Sequence, residues 1–146
     1  MEDALSRGAR LATGGAALTE GALARGYFYA PTVLLDVAEE MPVCQEEIFG
    51  PVAPVLTFRD EAEVIERANA TVFGLASYLY SRDLGRITRV AEGLEYGLVG
   101  VNDSAGYTHE IPFGGFKESG LGREGGREGL LEYMETKSVV VALPQP

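Results

Sequence analysis

The stretch from Val52 to Val101 reads VAPVLTFRDEAEVIERANATVFGLASYLYSRDLGRITRVAEGLEYGLVGV. Three short apolar runs alternate in it with two segments of helical periodicity, and an aspartate stands at the start of each helical segment. The pattern predicts strands at Val52–Phe58, Ala76–Tyr80 and Leu98–Val101, and helices at Asp60–Ala70 and Asp83–Leu94. A β-α-β-α-β order of this kind is typical of an α/β fold with a mainly parallel sheet and flanking helices.

The segments on either side extend this unit. Tyr27–Val37 is rich in aromatic and β-branched residues and predicts a strand, whereas Met1–Ala12 resembles the end of a helix. Downstream, Arg127–Glu135 predicts a short helix. Lys137–Leu143 has a Val-Val-Val core and predicts a trailing strand, which needs a pairing partner because a bare strand edge invites association.

Composition excludes several classes of function. The 146 residues are 46% hydrophobic, and 12 Lys and Arg stand against 22 Asp and Glu, a net charge of −10. Such an acidic chain repels phosphate backbones, which disfavours nucleic-acid binding. No run approaches the ~20 apolar residues of a membrane span. A single cysteine fits a reducing compartment, so we expect a cytoplasmic protein, and one histidine with one distant cysteine predicts no metal site.

A glycine-rich segment, Pro112–Gly126, reads PFGGFKESGLGREGG and is called the glycine loop below. Within it, Gly120–Gly125 satisfies the G-x-G-x-x-G pattern of dinucleotide-binding turns. However, the polar Lys117–Ser119 stands where a strand should enter, and no acidic residue follows at the end of a second strand. We therefore interpret the segment as a glycine-rich turn into a helix, not as a phosphate cradle.

Few side chains could carry chemistry. Cys44 is the only strong nucleophile, but acidic neighbours would raise its pKa, and a packed thiol is the simpler interpretation. Glu46 and Glu47 could act as acid and base, or could be solvated carboxylates. His109 could shuttle protons, but no Ser or Cys lies within four residues of it for it to activate.

Three segments in order carry a resemblance: EEIFGPV at Glu46–Val52, NATVFGLA at Asn69–Ala76, and PFGGFKESGLGREG in the glycine loop. Together they resemble the C-terminal part of the NAD(P)-dependent aldehyde dehydrogenases, over essentially the whole chain. Glu95–Gly97 and the Arg-Asp pair at residues 82–83 are similar to the succinate-semialdehyde-like branch, although Tyr107 stands about where that branch favours a serine.

The resemblance implies roles for three side chains. Glu47 matches the glutamate that hydrogen-bonds the nicotinamide ribose, Phe49 matches the aromatic beside the nicotinamide, and Phe113 matches the aromatic that borders the acyl pocket. The implied cofactor is NAD or NADP, and the implied substrate is a small aldehyde. No catalytic residue is assigned here, because the family's nucleophilic cysteine, general base and oxyanion-hole asparagine belong upstream, and the context of Cys44 does not match the nucleophile.

The resemblance also implies an organisation. Residues 1–135 would be the C-terminal portion of the catalytic domain, and residues 136–146 the oligomerisation strand and tail. We expect the isolated chain to be inactive and to form a homo-oligomer or to pair with full-length subunits. Two alternatives stay open: a non-catalytic interaction module for full-length subunits, or one half of a split enzyme.

Overall fold

The computed structural model describes residues 1–104 and 108–144, which leaves Tyr107 outside the described part. The chain divides into two compact units, Met1–Arg59 and Asp60–Pro146. Its strands are β1 (Arg10–Thr13), β2 (Thr32–Leu35), β3 (Val52–Pro54), β4 (Ala76–Leu79) and β5 (Leu98–Val101). Its α-helices are α1 (Glu2–Ser6), α2 (Pro42–Gln45), α3 (Glu61–Asn69), α4 (Leu84–Gly93) and α5 (Gly126–Leu131), with 3₁₀ turns at Gly21–Arg25 and Lys117–Ser119. Small sheets with flanking helices confirm the predicted α/β class.

The first unit contains a sheet of order β1-β2-β3. β1 runs antiparallel to β2, and β2 runs parallel to β3. Leu34 of β2 is fully buried and lies in a small core with Ala4, Met41 and Val43. The buried Thr32 is satisfied, because its hydroxyl accepts from the Gly15 amide at 2.8 Å and donates to the Ala30 carbonyl at 2.7 Å.

The second unit contains two parallel strands, β4 and β5, in register from Ala76 opposite Leu98 to Leu79 opposite Val101. Both predicted helix caps are confirmed. The Asp60 carboxylate accepts from the Glu63 amide at 2.9 Å, and the Asp83 carboxylate accepts from the Arg86 amide at 3.0 Å. Each cap satisfies an amide that the first turn of a helix leaves without an internal partner.

The predicted grouping of strands is wrong in one respect. β3 pairs with β2 in the first unit, so the three strands of the β-α-β-α-β pattern are divided between two sheets. Periodicity specifies the order of elements, but a parallel partner is chosen by long-range packing. The N-terminal expectation also needs correction, since α1 ends at Ser6 and Arg10–Thr13 forms β1 instead of continuing a helix. Gly8, at φ +102°, separates the two elements.

The terminal segment, residues 137–143, forms no strand within the described residues. Val139, Val140 and Val141 are 73%, 95% and 72% exposed. A strand requires a hydrogen-bonded neighbour, and the described part of the chain offers this segment none. Pairing of the segment with another subunit, and the functional boundary after residue 135, therefore stay predictions.

Candidate cofactor and substrate residues

Glu47 lies in the connection that follows α2 in the first unit. Proline at the first position of α2 favours its start, and the backbone turns extended at Glu46, which ends the helix after one turn. Glu47 is exposed to solvent. Among residues 1–104 and 108–144, no hydrogen bond or ion pair occupies its carboxylate. The carboxylate is thus available to accept hydrogen bonds from a ligand.

Phe49 follows in an uncommon conformation. Its φ is +46°, in the left-handed region that bulky side chains seldom adopt, and its side chain is 91% exposed. Such strain costs of order 1–3 kcal/mol and persists only where the surroundings impose it. The local structure therefore holds a large aromatic ring out in solvent, two residues beyond the Glu47 carboxylate. An exposed aromatic face can receive a planar ring.

Phe113 lies in the second unit, at the start of the glycine loop. Its amide donates to the Glu124 carbonyl at 2.7 Å, and the Glu124 amide donates back at the same distance. This antiparallel bridge closes the loop. The half-buried Phe113 borders a cavity of about 300 Å³, whose other lining residues include Leu75, Ser119, Arg123 and Glu132. Phe113 is therefore placed beside a space that a small molecule could enter.

Lys117 anchors the glycine loop. Its ammonium donates to the carbonyls of Asn69 and Thr71 at 2.7 and 3.2 Å and lies 2.8 Å from the Glu95 carboxylate. The Ser119 hydroxyl adds a further tie, because it accepts from the Gly74 amide at 2.9 Å. These contacts fasten the loop to the segments that precede β4 and β5. This role of Lys117 was not predicted from the sequence, where the only signal was a lysine set among glycines.

Arg123 is also engaged in holding the loop. It donates to the carbonyls of Gly115 and Gly122 at 3.0 and 2.6 Å, and its guanidinium lies 5.6 Å from the centroid of the Phe116 ring. The G-x-G-x-x-G pattern follows the 3₁₀ turn Lys117–Ser119 and no strand. The interpretation as a glycine-rich turn is confirmed. Lys117 and Arg123, the two cationic residues of the glycine loop, both bind backbone carbonyls that hold the loop in place.

Two glycines permit the close approach of backbones in this region. A Cβ atom at Gly97 would collide with the carbonyl oxygen of Gly114. A Cβ atom at Gly74 would lie 2.7 Å from the Glu95 carbonyl oxygen, closer than real Cβ contacts. Neither glycine has a positive φ, so the requirement at both positions is for space. The glycine loop thus packs directly against the backbone before β5.

Cys44 and His109 do not resemble catalytic groups. Burial raises the pKa of the Cys44 thiol above its ordinary value, and the carboxylates of Glu39 and Glu40 raise it further. A raised pKa leaves little nucleophilic thiolate at neutral pH. His109 is exposed, with Nε2 3.0 Å from the Glu110 carboxylate. Among the described residues there is no cluster of metal ligands, and no helix is long and apolar enough to cross a membrane.

The chain is similar to known aldehyde dehydrogenases. Its residues 1–139 match the model of the Aldehyde dehydrogenase family. The chain is 55% identical over 139 residues to a 3-sulfolactaldehyde dehydrogenase of Pseudomonas putida, covering 95% of this chain and 28% of that protein. It is 50% identical over 143 residues to a succinate-semialdehyde dehydrogenase [NADP(+)] of Escherichia coli, covering 98% and 29%.

Solved structures agree in fold. The crystal structure of succinate-semialdehyde dehydrogenase from Burkholderia pseudomallei matches with a TM-score of 0.83 at 53% identity, covering 90% of this chain and 27% of that one. A betaine aldehyde dehydrogenase from Staphylococcus aureus, solved in complex with NAD+, matches with a TM-score of 0.85 at 43% identity, covering 90% and 26%. The chain therefore spans less than a third of the length of the proteins it matches.

Proposed function

Because this chain belongs to the aldehyde dehydrogenase family, we propose that it is the C-terminal portion of an NAD(P)-dependent enzyme that oxidises aldehydes to carboxylic acids. The observation that carries the proposal is the family match over residues 1–139, together with a span of only 28% of a relative's length. In this proposal the chain contributes part of a cofactor site and part of a substrate pocket, and the remaining parts come from other segments of the enzyme.

Glu47 and Phe49 would hold the nicotinamide end of the cofactor. A carboxylate can accept hydrogen bonds from two neighbouring ribose hydroxyls at once, and an exposed aromatic face can flank a planar ring. The open carboxylate and the protruding ring fit this role. When bound, NAD or NADP would supply the hydride acceptor of the oxidation.

The substrate would be an aldehyde with a negatively charged group at its far end. Three similar relatives are named for 3-sulfolactaldehyde, glutarate semialdehyde and succinate semialdehyde. Each of these aldehydes carries a negatively charged group at its far end. Phe113 would border the acyl part of the substrate at its cavity. These names also agree with the similarity to the succinate-semialdehyde-like branch that was noted in the sequence.

The isolated chain would be inactive. Its one thiol, Cys44, is half-buried, and burial and acidic neighbours raise its pKa. We therefore assign the covalent step to a cysteine elsewhere in the enzyme, and dinucleotide binding to a unit that these residues do not contain.

The first test is to mix the purified chain with NAD or NADP and with succinate semialdehyde or glutarate semialdehyde, and to follow the absorbance of reduced nicotinamide. We expect no signal. Turnover by the chain alone would contradict the proposed incompleteness. Turnover that disappears in Cys44→Ala would make Cys44 the nucleophile.

The proposed residues are tested by adding a separately produced upstream portion of a closely similar enzyme. If activity appears, Glu47→Gln should raise the KM for the cofactor, because an amide accepts fewer hydrogen bonds than a carboxylate. Glu46→Gln is the matched control and should leave this KM unchanged. Equal effects at both positions would remove the specific role of Glu47.

A second candidate function is suggested by the exposed terminal segment. Val139–Val141 could join full-length subunits, so that the chain acts as a non-catalytic interaction module. This function predicts binding to a full-length aldehyde dehydrogenase without any gain of turnover. Activity that appears only when the upstream portion is added would instead identify one half of a split enzyme.

A further inference from the structure

The glycine loop is held by the segment that joins α3 to β4, residues 69–75, which is called the base segment below. The Glu118 amide donates to the Val72 carbonyl at 2.9 Å, and the Phe116 amide donates to the Gly74 carbonyl at 2.9 Å. Two side chains of the loop also bind this segment. The position of the base segment therefore determines the position of the glycine loop.

The cavity beside Phe113 is built from both parts. Leu75, the last residue of the base segment, lines it together with Phe113 and Ser119 of the loop. The loop is rich in glycine and has few side chains with which to fix its own conformation. The shape of this cavity and the place of the Phe113 ring therefore depend on how firmly the base segment is held.

Asn69 holds the start of the base segment. It is the last residue of α3, and its side chain is half-buried. The side-chain amide donates to the Gly93 carbonyl at the end of α4 at 2.7 Å, and the side-chain oxygen accepts from the Glu95 amide at 2.9 Å. Asparagine can do both because its amide group carries a donor and an acceptor. The side chain thus ties the base segment to the segment that leads into β5.

The main chain of Asn69 binds the glycine loop directly. Its carbonyl accepts from the Lys117 ammonium at 2.7 Å. The junction is strengthened by Tyr96, whose hydroxyl donates to the Ala68 carbonyl at 2.7 Å. Asn69 is not among the described residues that line the cavity beside Phe113. Any effect of Asn69 on that cavity is therefore exerted through the loop.

We propose that Asn69 is a positioning residue for substrate binding, which acts through the base segment and Lys117 to hold Phe113 at its cavity. The inference rests on the proposed function, because it takes this cavity as the place of the acyl part of the aldehyde. Without the side-chain bonds of Asn69, the base segment and the loop would shift together, and binding of the aldehyde would weaken. The proposed cofactor residues, Glu47 and Phe49, belong to the other unit and would keep their role.

Hydrogen exchange on the 146-residue chain gives the first test. In Asn69→Ala, exchange of the Phe116 and Glu118 amides should accelerate at least about tenfold more than exchange of the Asn102 amide. The acceptors of the first two amides lie on the released base segment, whereas the Asn102 amide binds the Leu79 carbonyl beyond the far end of β4 and β5. The difference separates local release from a general loss of stability.

Asp60→Ala is the matched control. It removes the cap at the other end of α3 and so destabilises the same unit without removing a contact of the base segment. It should accelerate the exchange of the three amides to a similar extent. Circular dichroism checks the folding of both variants. If Asn69→Ala fails to fold, Asn69→Asp replaces it, because a carboxylate keeps the acceptor and loses only the donor.

Kinetics of the enzyme reconstituted with an upstream portion give the second test. Asn69→Ala should raise the KM for succinate semialdehyde at least about fivefold and leave the KM for the cofactor unchanged. Asp60→Ala should leave both values unchanged. Equal acceleration of the three amides in Asn69→Ala, or an unchanged KM for the aldehyde, would overturn the proposal.

Absence of turnover in the reconstituted wild type would count against the proposed function and not against the role of Asn69. A reporter at position 113 then decides. The chain contains no tryptophan, so Phe113→Trp introduces a single fluorescent side chain beside the cavity. Its quenching by acrylamide should increase at least about twofold when Asn69→Ala is added, and should not change when Asp60→Ala is added. Quenching that is the same with and without Asn69→Ala would refute the positioning role.

Discussion

Asn102 and Ser81 exchange two hydrogen bonds at the carboxyl ends of β5 and β4. The Ser81 amide donates to the Asn102 side-chain oxygen at 2.9 Å, and the Asn102 side-chain amide donates back to the Ser81 carbonyl at 2.9 Å. The Asn102 side chain thus imitates a backbone and extends the pairing of the two strands by one step. Its own φ of +56° turns the chain out of the sheet at this point.

Asn102→Ala should lower the free energy of unfolding by about 2 kcal/mol, because it removes two hydrogen bonds and places alanine in the left-handed region. Asn102→Gly loses the same bonds but adopts this φ freely, so its loss should be about 1 kcal/mol smaller. Urea denaturation of both variants measures the difference. Equal losses would mean that this φ carries no steric cost for alanine.

The Lys117 ammonium offers a second test, because it serves two carbonyls and one carboxylate. Lys117→Met should lower the free energy of unfolding by roughly 2 kcal/mol, since it leaves the Asn69 and Thr71 carbonyls without this donor. Glu95→Gln should lower the free energy of unfolding by less, because it removes only an ion pair near the surface and leaves the contacts of Lys117 with the two carbonyls in place. Urea denaturation compares the two variants. A larger loss in Glu95→Gln would show that the ion pair, and not the carbonyl contacts, holds the glycine loop.

The ion pairs between α3 and α4 predict a dependence of stability on pH. The Arg89 guanidinium, through a hydrogen bond and its charge, and then Arg86, lower the pKa of Glu61 below its ordinary value of 4.5. A lowered pKa in the folded state stabilises the fold above the unfolded pKa, and this contribution disappears as pH falls through the folded pKa. Thermal melting should therefore show a steeper loss of stability below about pH 4.5 in the wild type than in Glu61→Gln.

The control for this experiment is Glu66→Gln on the same helix, for which no ion pair to α4 is present in the described residues. It should keep the wild-type dependence on pH. Added salt should reduce the difference between wild type and Glu61→Gln, because these side chains lie near the surface, where ions screen their attraction. A pH profile that is identical in wild type and Glu61→Gln would show that the ion pairs do not stabilise the fold.

The backbone of Phe49 gives a fourth prediction. Phe49→Gly should raise the free energy of unfolding relative to Phe49→Ala by about 1 kcal/mol, because only glycine adopts a φ of +46° without steric cost. The ring itself is exposed, so its removal should cost little in packing. Chemical denaturation of the two variants provides the comparison. A less stable glycine variant would mean that Phe49 is not strained.

Local features of the fold were predictable from the sequence. Asp60 and Asp83 are helix caps, and β5 has the predicted bounds, because caps and short apolar runs depend on neighbouring residues. The pairing of β3 with β2 was not predictable, since it depends on residues far apart in the chain. Nor could periodicity show that Phe49, Asn102 and Lys117 adopt positive φ, a conformation that asparagine tolerates but that the surrounding structure must impose on phenylalanine and lysine.

In the candidate site, too, the sequence indicated some residues and not others. The resemblance to the aldehyde dehydrogenases singled out Glu47, Phe49 and Phe113 in the sequence, but only the structure shows an exposed Phe49 ring and a half-buried Phe113 beside a cavity. Lys117 escaped notice because its partners are backbone carbonyls, and carbonyls leave no signature in a sequence. Candidate residues that a side-chain motif marks were therefore easier to find in the sequence than residues that act through backbone contacts.

The contact between Gly97 and Gly114 limits which amino-acid substitutions this protein can accept during evolution. Any other amino acid at Gly97 brings a Cβ atom into the Gly114 carbonyl, so the backbone would have to move before a new side chain could be accommodated. In a library of all single substitutions, position 97 should be depleted of alanine as strongly as of larger residues. Its neighbour Tyr96, which reaches the Ala68 carbonyl only through its hydroxyl at 2.7 Å, should accept phenylalanine. The two adjacent positions would then differ in the substitutions they tolerate. At Gly97 the limit is the nearby backbone, and at Tyr96 it is the single hydroxyl oxygen of the side chain.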